Sequence, residues 1–460
     1  LDKKLSLTAL TALVLSSMVG AGVFSLPQNM AEVASPAALI IGWSITGVGI
    51  LFLAFALLLL SRLRPDLDGG IFTYAKDGFG ELIGFCSAWG YWLCAVIANV
   101  SYLVIVFAAF SFFTDTPGNI VFGDGKNREG ANVLLWFVHC LVLRGGQTAA
   151  GINKLATFAK LVPLGLFIVL AVIAFRWDTF HLDFTGVDLG VPVWQQVKDT
   201  MLITLWVFIG IEGAVVVSAR ARRRKDVGLA TMMAVISALT IYILVTLLSM
   251  GVVARPELAE MRNPSMATLM VNLIGGGGEI IIAAGLIISV CGAYLSWTIM
   301  AAEVPFIAAL HGSFPSPFKK QNANNAPSSS LWMTNGAVQL ALVLIWLSGS
   351  NYNTLLTIAS EMILVPYFLV GAFLVKTALR MKKPALLGVG MIAALYGLWL
   401  IYASGIINLM LSVVLYAPGI LVFLYALKNR EIKTTLHFIE WSIIAALLIA
   451  AVPALWYLVR

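Results

Sequence analysis

Charge is scarce in this chain. Of 460 residues, 29 are Lys or Arg and 22 are Asp or Glu, 11% in all, where soluble domains carry about a quarter. Histidine and cysteine are rarer still, at four each. Cys86, Cys94, Cys140 and Cys291 lie far apart, each inside an apolar run, which suggests neither a disulfide framework nor a metal cluster. His139 and His311 stand alone, with no partner at ligand spacing, and read as structural. With no His/Cys/Asp cluster and no nucleophile constellation, an integral-membrane enzyme is disfavoured, and no cofactor or metal is implied. The glycine run 275–278 has no Lys-Ser/Thr after it, so it is not a phosphate loop and reads as an outer hairpin. No stretch is long enough to be a soluble domain or a linker to one.

What remains is apolar: 60% of residues are hydrophobic and the mean hydropathy is +0.95. A soluble fold could not hide that much apolar surface from water, whereas a bilayer removes the problem. A spanning helix needs about 20 apolar residues to cross roughly 30 Å. Such runs occur at 7–30, 37–62, 83–113, 132–146, 155–175, 197–219, 227–252, 278–310, 330–348, 353–376, 385–402, 406–427 and 438–458, which predicts an all-α integral membrane protein of thirteen helices. Lys3 and Lys4 followed by an apolar run to Leu26 look like a signal peptide. The run continues past Gly20 and Gly22 without a small-residue cleavage site, so it reads as helix 1.

Placing the N-terminus in the cytoplasm puts 22 of the 29 basic residues on the inside, Lys3, Lys4, Arg144, Lys154 and Lys160 among them. Lys126, Arg128, Arg176, Lys198, Arg255, Arg262 and Arg460 stay outside. This asymmetry predicts that orientation in a bacterial inner membrane, and an odd helix count puts the C-terminus outside. The basic cluster Arg220, Arg222, Arg223, Arg224 and Lys225 reads as a stop-transfer anchor near anionic membrane lipid rather than a nucleic-acid patch.

Two segments carry glycines that a plain lipid-facing helix does not need. Helix 1 contains Ser17-Met18-Val19-Gly20-Ala21-Gly22-Val23-Phe24, and helix 6 contains Trp206-Val207-Phe208-Ile209-Gly210-Ile211-Glu212-Gly213-Ala214. Each opens one five-helix half, 1–176 and 177–378, with 379–460 left as accessory helices. Interrupted segments at matching places point to an inverted-repeat transporter with its site at the midplane. Unwound backbone in lipid is tolerated only beside a polar cavity. Amides freed at a half-helix N-terminus suit a carboxylate, and carbonyls freed at a C-terminus suit an ammonium. Close helix packing by small residues is the alternative reading of these glycines.

At these same residues the chain resembles the amino acid–polyamine–organocation superfamily, and within it the basic amino acid/polyamine antiporters, over nearly its whole length. The 20–24 segment is similar to the family's Gly-Ser-Gly-Val/Ile-Phe break, with Ala21 in place of serine. Gly69-Gly70-Ile71-Phe72-Thr73-Tyr74 resembles its Gly-Gly-x-Tyr-x-Tyr loop. The 206–212 segment, Ser296-Trp297-Thr298 and Leu364-Val365-Pro366-Tyr367 resemble motifs of its arginine/agmatine exchangers, and the whole looks most like bacterial arginine/ornithine antiporters. The resemblance implies a 5+5 inverted repeat with helices 1 and 6 broken. It implies that the backbone of Ala21 and Gly22 binds the substrate carboxylate and that the carbonyls of Trp206 and Ile209 take the α-ammonium. Asn99 and Tyr102 would line the pocket, Trp297 would stack on the cationic side chain, and Trp206 would close the outer side. Tyr91, Glu212 and Tyr367 would gate below. The missing hydroxyl at Ala21 leaves backbone amides alone to hold the carboxylate. The implied partners are arginine, ornithine and membrane lipids, and a homodimer is compatible with the resemblance.

The residues can also be weighed without the resemblance. Helix 3 runs outward and helices 6 and 10 run inward, so Tyr91, Glu212 and Tyr367 all fall on the cytoplasmic side of one site. Glu212 is an intramembrane carboxyl, a functional candidate by default, or else a neutral acid bonded to backbone. Glu361, in mid-helix, could offer a negative end to a cationic side chain or serve helix packing. Glu303 is open between the inner mouth and structure, and Glu440 reads as a solvated interface residue. Trp297 is mid-helix beside small Gly292, Ala293 and Ser296, which suits a pocket wall or packing. The function expected is exchange of cationic amino acids, arginine for ornithine. A lysine/polyamine exchanger on the same fold is the near alternative, and a proton-coupled carrier using Glu212 or Glu361 is another. Broken helices disfavour a channel.

Overall fold

The structure is a computed structural model and describes residues 5–119, 128–349 and 352–460. Lys3, Lys4 and Lys126, assigned above to the membrane flanks, lie outside the described residues. Helices dominate; among the described residues the only β pairing is two isolated bridges. The first half comprises α1 (Leu7–Met18), α2 (Gly22–Val33), α3 (Pro36–Leu63), α4 (Ile71–Phe79), α5 (Glu81–Thr114), α6 (Arg128–Leu143) and α7 (Gly146–Ala174). The second runs α8 (Trp177–His181), α9 (Val193–Trp206), α10 (Gly213–Val216), α11 (Lys225–Val252), α12 (Arg255–Ala259), α13 (Ser265–Ile274), α14 (Gly278–Leu310), α15 (Ser328–Ser348) and α16 (Tyr352–Met381). Then come α17 (Pro384–Ser404), α18 (Ile406–Asn429) and α19 (Phe438–Val459).

Local chemistry sets several boundaries. Ser6 and Ser35 accept hydrogen bonds from Ala9 N at 3.2 Å and Ala38 N at 3.3 Å, capping α1 and α3, and Pro36 occupies the first turn of α3, where its missing N–H costs nothing. Gly69 and Gly70 have φ of +81° and +48°, and a Cβ on Gly70 would lie 2.0 Å from Val215. The glycine loop before α4 therefore docks directly on α10, which only glycine permits.

Among the described residues, eleven segments are long and apolar enough to cross a membrane, counting α1 and α2 as one. Thirteen were expected. The 132–146 segment forms α6, whose 16 residues reach only about 24 Å against a core of roughly 30 Å. The 197–219 segment breaks after Trp206 and resumes as the four-residue α10. The 253–277 stretch, with no expected helix, holds the short α12 and α13 as a cap. There Gln28 Nε2 donates to the Ala259 carbonyl at 2.8 Å, and Arg255 bonds the Ala31 carbonyl and a buried Asp183. Burial separates centre from rim. The most apolar window of 7–33 is 83% buried, that of α19 only 11%, so α19 presents its apolar side chains to lipid.

Three charge assignments change. Lys160, counted with the inside flank, is fully buried within α7. Arg220, read as part of a lipid anchor, is buried against Glu303, with Nε 3.0 Å from Oε1, and its Nη1 donates to the Asn325 carbonyl at 3.0 Å. A guanidinium supplied with protein acceptors has no need of a lipid phosphate. Glu440 is buried too, accepting from Leu82 N and His437 N, so it caps α19 rather than meeting water.

The break after α9 turns on Gly210, whose φ is +117° and whose missing Cβ would sit 2.6 Å from the Ser17 hydroxyl. Replacing Gly210 with Ala should cost about 1–3 kcal/mol, read as a lowered thermal midpoint of the purified protein in detergent. An unchanged midpoint would show that the turn does not need this conformation.

Candidate functional site

The two broken helices face one another, and every carbonyl freed at the end of α1 has a named partner. Lys160 Nζ donates to the Val19 carbonyl at 2.8 Å and to Ser16 Oγ at 3.0 Å. Ser289 of α14 donates to the Val19 and Gly20 carbonyls at 3.0 and 3.1 Å. Trp297 Nε1 donates to the Ser17 carbonyl at 3.0 Å. A cation at the C-terminal end of a helix also meets the negative pole of its dipole, so Lys160 stabilises the break twice over. This lysine was not recognised from the sequence as a site residue. The signal was present, since a basic side chain inside the apolar run 155–175 carries the same cost as an intramembrane acid.

The second break is held in the same way. Tyr242 Oη donates to the Val207 carbonyl at 2.6 Å, and Ser17 Oγ reaches the Gly210 carbonyl at 3.2 Å, so one break braces the other. Gly210 N donates to Tyr367 Oη at 3.3 Å, and that hydroxyl in turn donates to Glu212 Oε2. Glu212 is fully buried, with Oε1 left without a hydrogen-bond partner, as is the Tyr91 hydroxyl that faces the same carboxyl. The three residues expected to gate are thus together, and one of them is bonded directly to the unwound backbone.

The expected pocket residues converge as well. Tyr102 and Trp206 pair their rings at 6.1 Å. Trp206 Nε1 would lie 3.0 Å from a Cβ on Gly22, and Tyr102 3.4 Å from one on Gly20. Those glycines let aromatic rings reach the backbone between α1 and α2. Ala21 caps α2 without a side-chain hydrogen bond, and Phe24 N turns back to the Ala21 carbonyl at 3.2 Å, which leaves the amides of Ala21 and Gly22 as the first donors of the helix start. Across from them stand Trp206 and Ile209, at the end of α9 and in the turn that follows. Trp297 is fully buried and lies 5.9 Å, ring to ring, from Tyr91, so the residue expected in the pocket wall touches one expected in the gate. Asn99 is fully buried with neither Oδ1 nor Nδ2 hydrogen-bonded within the protein. A bare amide in an apolar interior costs a few kcal/mol, which a ligand bearing both a donor and an acceptor would offset.

Glu361 is not gathered with this group. Its Oε1 accepts from Ser412 Oγ of α18 at 2.9 Å, while the preceding Ser360 faces the Leu202 carbonyl of α9 at 3.5 Å. Successive residues on a helix point about 100° apart, so the serine faces the bundle and the acid faces the accessory helices. Glu303 is occupied by Arg220, and His139 by Asn335.

The arrangement offers an anion-accepting helix start, a cation-accepting helix end, an unpaired amide and aromatic walls, with a carboxyl–phenol group beneath. The whole chain tells the same story when compared with known proteins. Residues 5–452 match the family described as amino acid permease. The sequence is 72% identical over 462 residues, covering all of both chains, to the Escherichia coli (strain K12) protein named "Putative arginine/ornithine antiporter". It is 44% identical over 473 residues to the arginine/ornithine antiporter of Pseudomonas aeruginosa, covering 98% of this chain and 97% of that one. To the arginine/agmatine antiporter of Chlamydia pneumoniae it is 41% identical over 447 residues, covering 94% of this chain and 91% of that one. With a family match across almost its full length and relatives matched end to end, this chain belongs to the amino acid permease family, and it is a membrane transporter rather than an enzyme.

Proposed function

We propose that the chain exchanges cationic amino acids, arginine for ornithine, by alternating access in a bacterial inner membrane. The observation that carries this reading is the pair of facing breaks with opposite backbone poles, with the unpaired Asn99 amide one turn before Tyr102 on α5. The names of the relatives in Escherichia coli and Pseudomonas aeruginosa supply the substrates. In this reading the amides at Ala21 and Gly22 take the carboxylate, the carbonyls of Trp206 and Ile209 take the α-ammonium, and Asn99 and Tyr102 complete the wall. Trp297 carries the guanidinium on its face and Trp206 with Tyr102 closes one side. Tyr91, Glu212 and Tyr367 close the other. Glu361 acts on the side-chain cation from behind the wall, through α16, with Ser412 holding one of its oxygens.

The same proposal makes residues 1–176 and 177–378 two inverted repeats, each opening on its broken helix, with 379–460 as accessory helices. Counting α6 and the interrupted α9–α10 as crossings gives thirteen, with the N-terminus in the cytoplasm and the C-terminus outside.

Arginine and ornithine each carry about one net positive charge at neutral pH, so their exchange moves no net charge. Proteoliposomes loaded with ornithine should take up labelled arginine, empty ones should not, and an imposed membrane potential should change nothing. Equal uptake into empty vesicles at zero potential and equal pH would refute exchange. Stimulation by potential when the vesicles hold a doubly charged amine would point to a polyamine counter-substrate.

Trp297→Ala should weaken arginine binding roughly tenfold or more, because a desolvated guanidinium over an indole is worth about 1–2 kcal/mol. Trp297→Phe keeps a ring but loses the Nε1 donor to Ser17, so it should recover part of the affinity. Titration of the alanine variant to the parent's Kd would return Trp297 to packing.

Glu212→Gln separates a gate from a proton carrier. The amide can still accept from Tyr367, so a gate residue should leave arginine affinity nearly unchanged while turnover falls. A proton carrier would instead lose any pH-driven uptake and keep exchange at equal pH. We expect the first pattern, and a variant with parental turnover and parental pH dependence would remove Glu212 from the mechanism.

A further inference from the structure

A groove with a volume of 620 Å³ opens between the end of α3 and the turn joining α16 to α17, far from the site above in sequence and chemistry. Arg62, Lys382 and Lys383 line it beside Leu59, Leu63 and Leu386, and no carboxylate does. Soon after α3 in sequence, acids neutralise other cations: Asp66 and Asp77 pair with Arg64, and Asp68 with Arg224. The three groove cations have neither an ion pair nor a side-chain hydrogen bond among the described residues, and all three are exposed. Lys382 holds a left-handed φ of +54°, uncommon for a residue with a side chain, and this turn sets two lysines side by side. Immediately after them α17 begins with Pro384 and has no acidic residue in its first turn, so its positive end is uncompensated.

Depth adds a second constraint. The 28 residues of α3 span roughly 42 Å, more than the roughly 30 Å hydrocarbon core, which puts Leu59 at the apolar edge and Arg62 at headgroup level. Apolar side chains below and unpaired cations above match one kind of molecule.

We propose that this groove binds an anionic phospholipid, its phosphodiester held by Arg62, Lys382 and Lys383 and an acyl chain lying along Leu59, Leu63 and Leu386. Charge complementarity favours a lipid with net negative charge over a zwitterionic one.

The test titrates the purified full chain in detergent with phosphatidylglycerol, phosphatidylcholine and inorganic phosphate, reading bound lipid by native mass spectrometry. Phosphatidylglycerol should bind at least about tenfold tighter than phosphatidylcholine. The combined variant R62Q/K382N/K383Q should lose on the order of a hundredfold in phosphatidylglycerol affinity. K382N alone, with an asparagine that tolerates the left-handed turn, should lose several-fold and guards against a misfolded triple variant. K319Q/K320Q, a basic pair elsewhere in the chain, should retain the preference. Equal binding of the two lipids, no loss in K382N, or the same loss in K319Q/K320Q would overturn the site. Displacement of phosphatidylglycerol by inorganic phosphate at equal concentration would overturn the lipid assignment, since the groove would then recognise a soluble anion.

Discussion

Everything central in this structure depends on one constraint, that unwound backbone inside an apolar bundle must find hydrogen-bond partners. Two helices are interrupted side by side, and each interruption frees polar groups where water cannot reach. The carbonyls after α1 draw Lys160 from α7 and Ser289 and Trp297 from α14. The turn after α9 draws Tyr242 from α11 and Tyr367 from α16. These partners come from α7, α11, α14 and α16, so the breaks organise the bundle as much as the bundle tolerates the breaks. What the protein leaves unpaired, the Asn99 amide and the start of α2, is what a zwitterion can complete.

Much of this was legible in the sequence, and the reasons differ by element. Long apolar runs translate directly into α3, α5, α11 and α14, because length and hydropathy alone decide a spanning helix. Gly20, Gly22 and Gly210 announce the breaks, since a helix core gains nothing from glycine. Lys160 was hidden by bookkeeping: a positive charge near a span end was counted as flank, and only the fold shows it turned inward. Arg220 and Glu303 are 83 residues apart, so neither reveals the other in sequence. That Glu361 turns toward Ser412 of α18 was not legible, because the direction of a side chain around α16 cannot be read without knowing which neighbours surround it. In the α12–α13 cap, α12 was missed because five residues with a proline and charges look like loop, and α13 because its ten largely apolar residues are too few to span.

Two polar groups beside the breaks differ in kind. Glu212, Tyr367 and Tyr91 form a compact polar group beside the turn at Gly210. The Arg220–Glu303 pair ties the segment after α10 to α14, with Phe306 beneath the guanidinium at 5.9 Å. Gly69 N bonds the Ser218 hydroxyl at 3.3 Å, fastening the glycine loop to the same segment. A buried ion pair is costly to separate once formed, because each partner is left as an uncompensated charge, whereas a phenol–carboxyl contact can exchange its proton and partner more readily. The phenol–carboxyl group is thus the easier of the two to rearrange, and the ion pair the harder to part.

The bridge between Leu5 and Ala221 gives the two halves of the protein a shared mechanical element. Leu5 N donates to the Arg220 carbonyl at 3.1 Å, and Arg222 N donates to the Leu5 carbonyl at 2.8 Å. Twelve residues along α1, roughly 18 Å away at helical rise, Ser17 holds the Gly210 carbonyl. Two pins at that separation make α1 and the 210–222 segment a single lever. Pinned at both ends, α1 and the 210–222 segment resist being moved apart, so a displacement of either one is passed to the other through these hydrogen bonds.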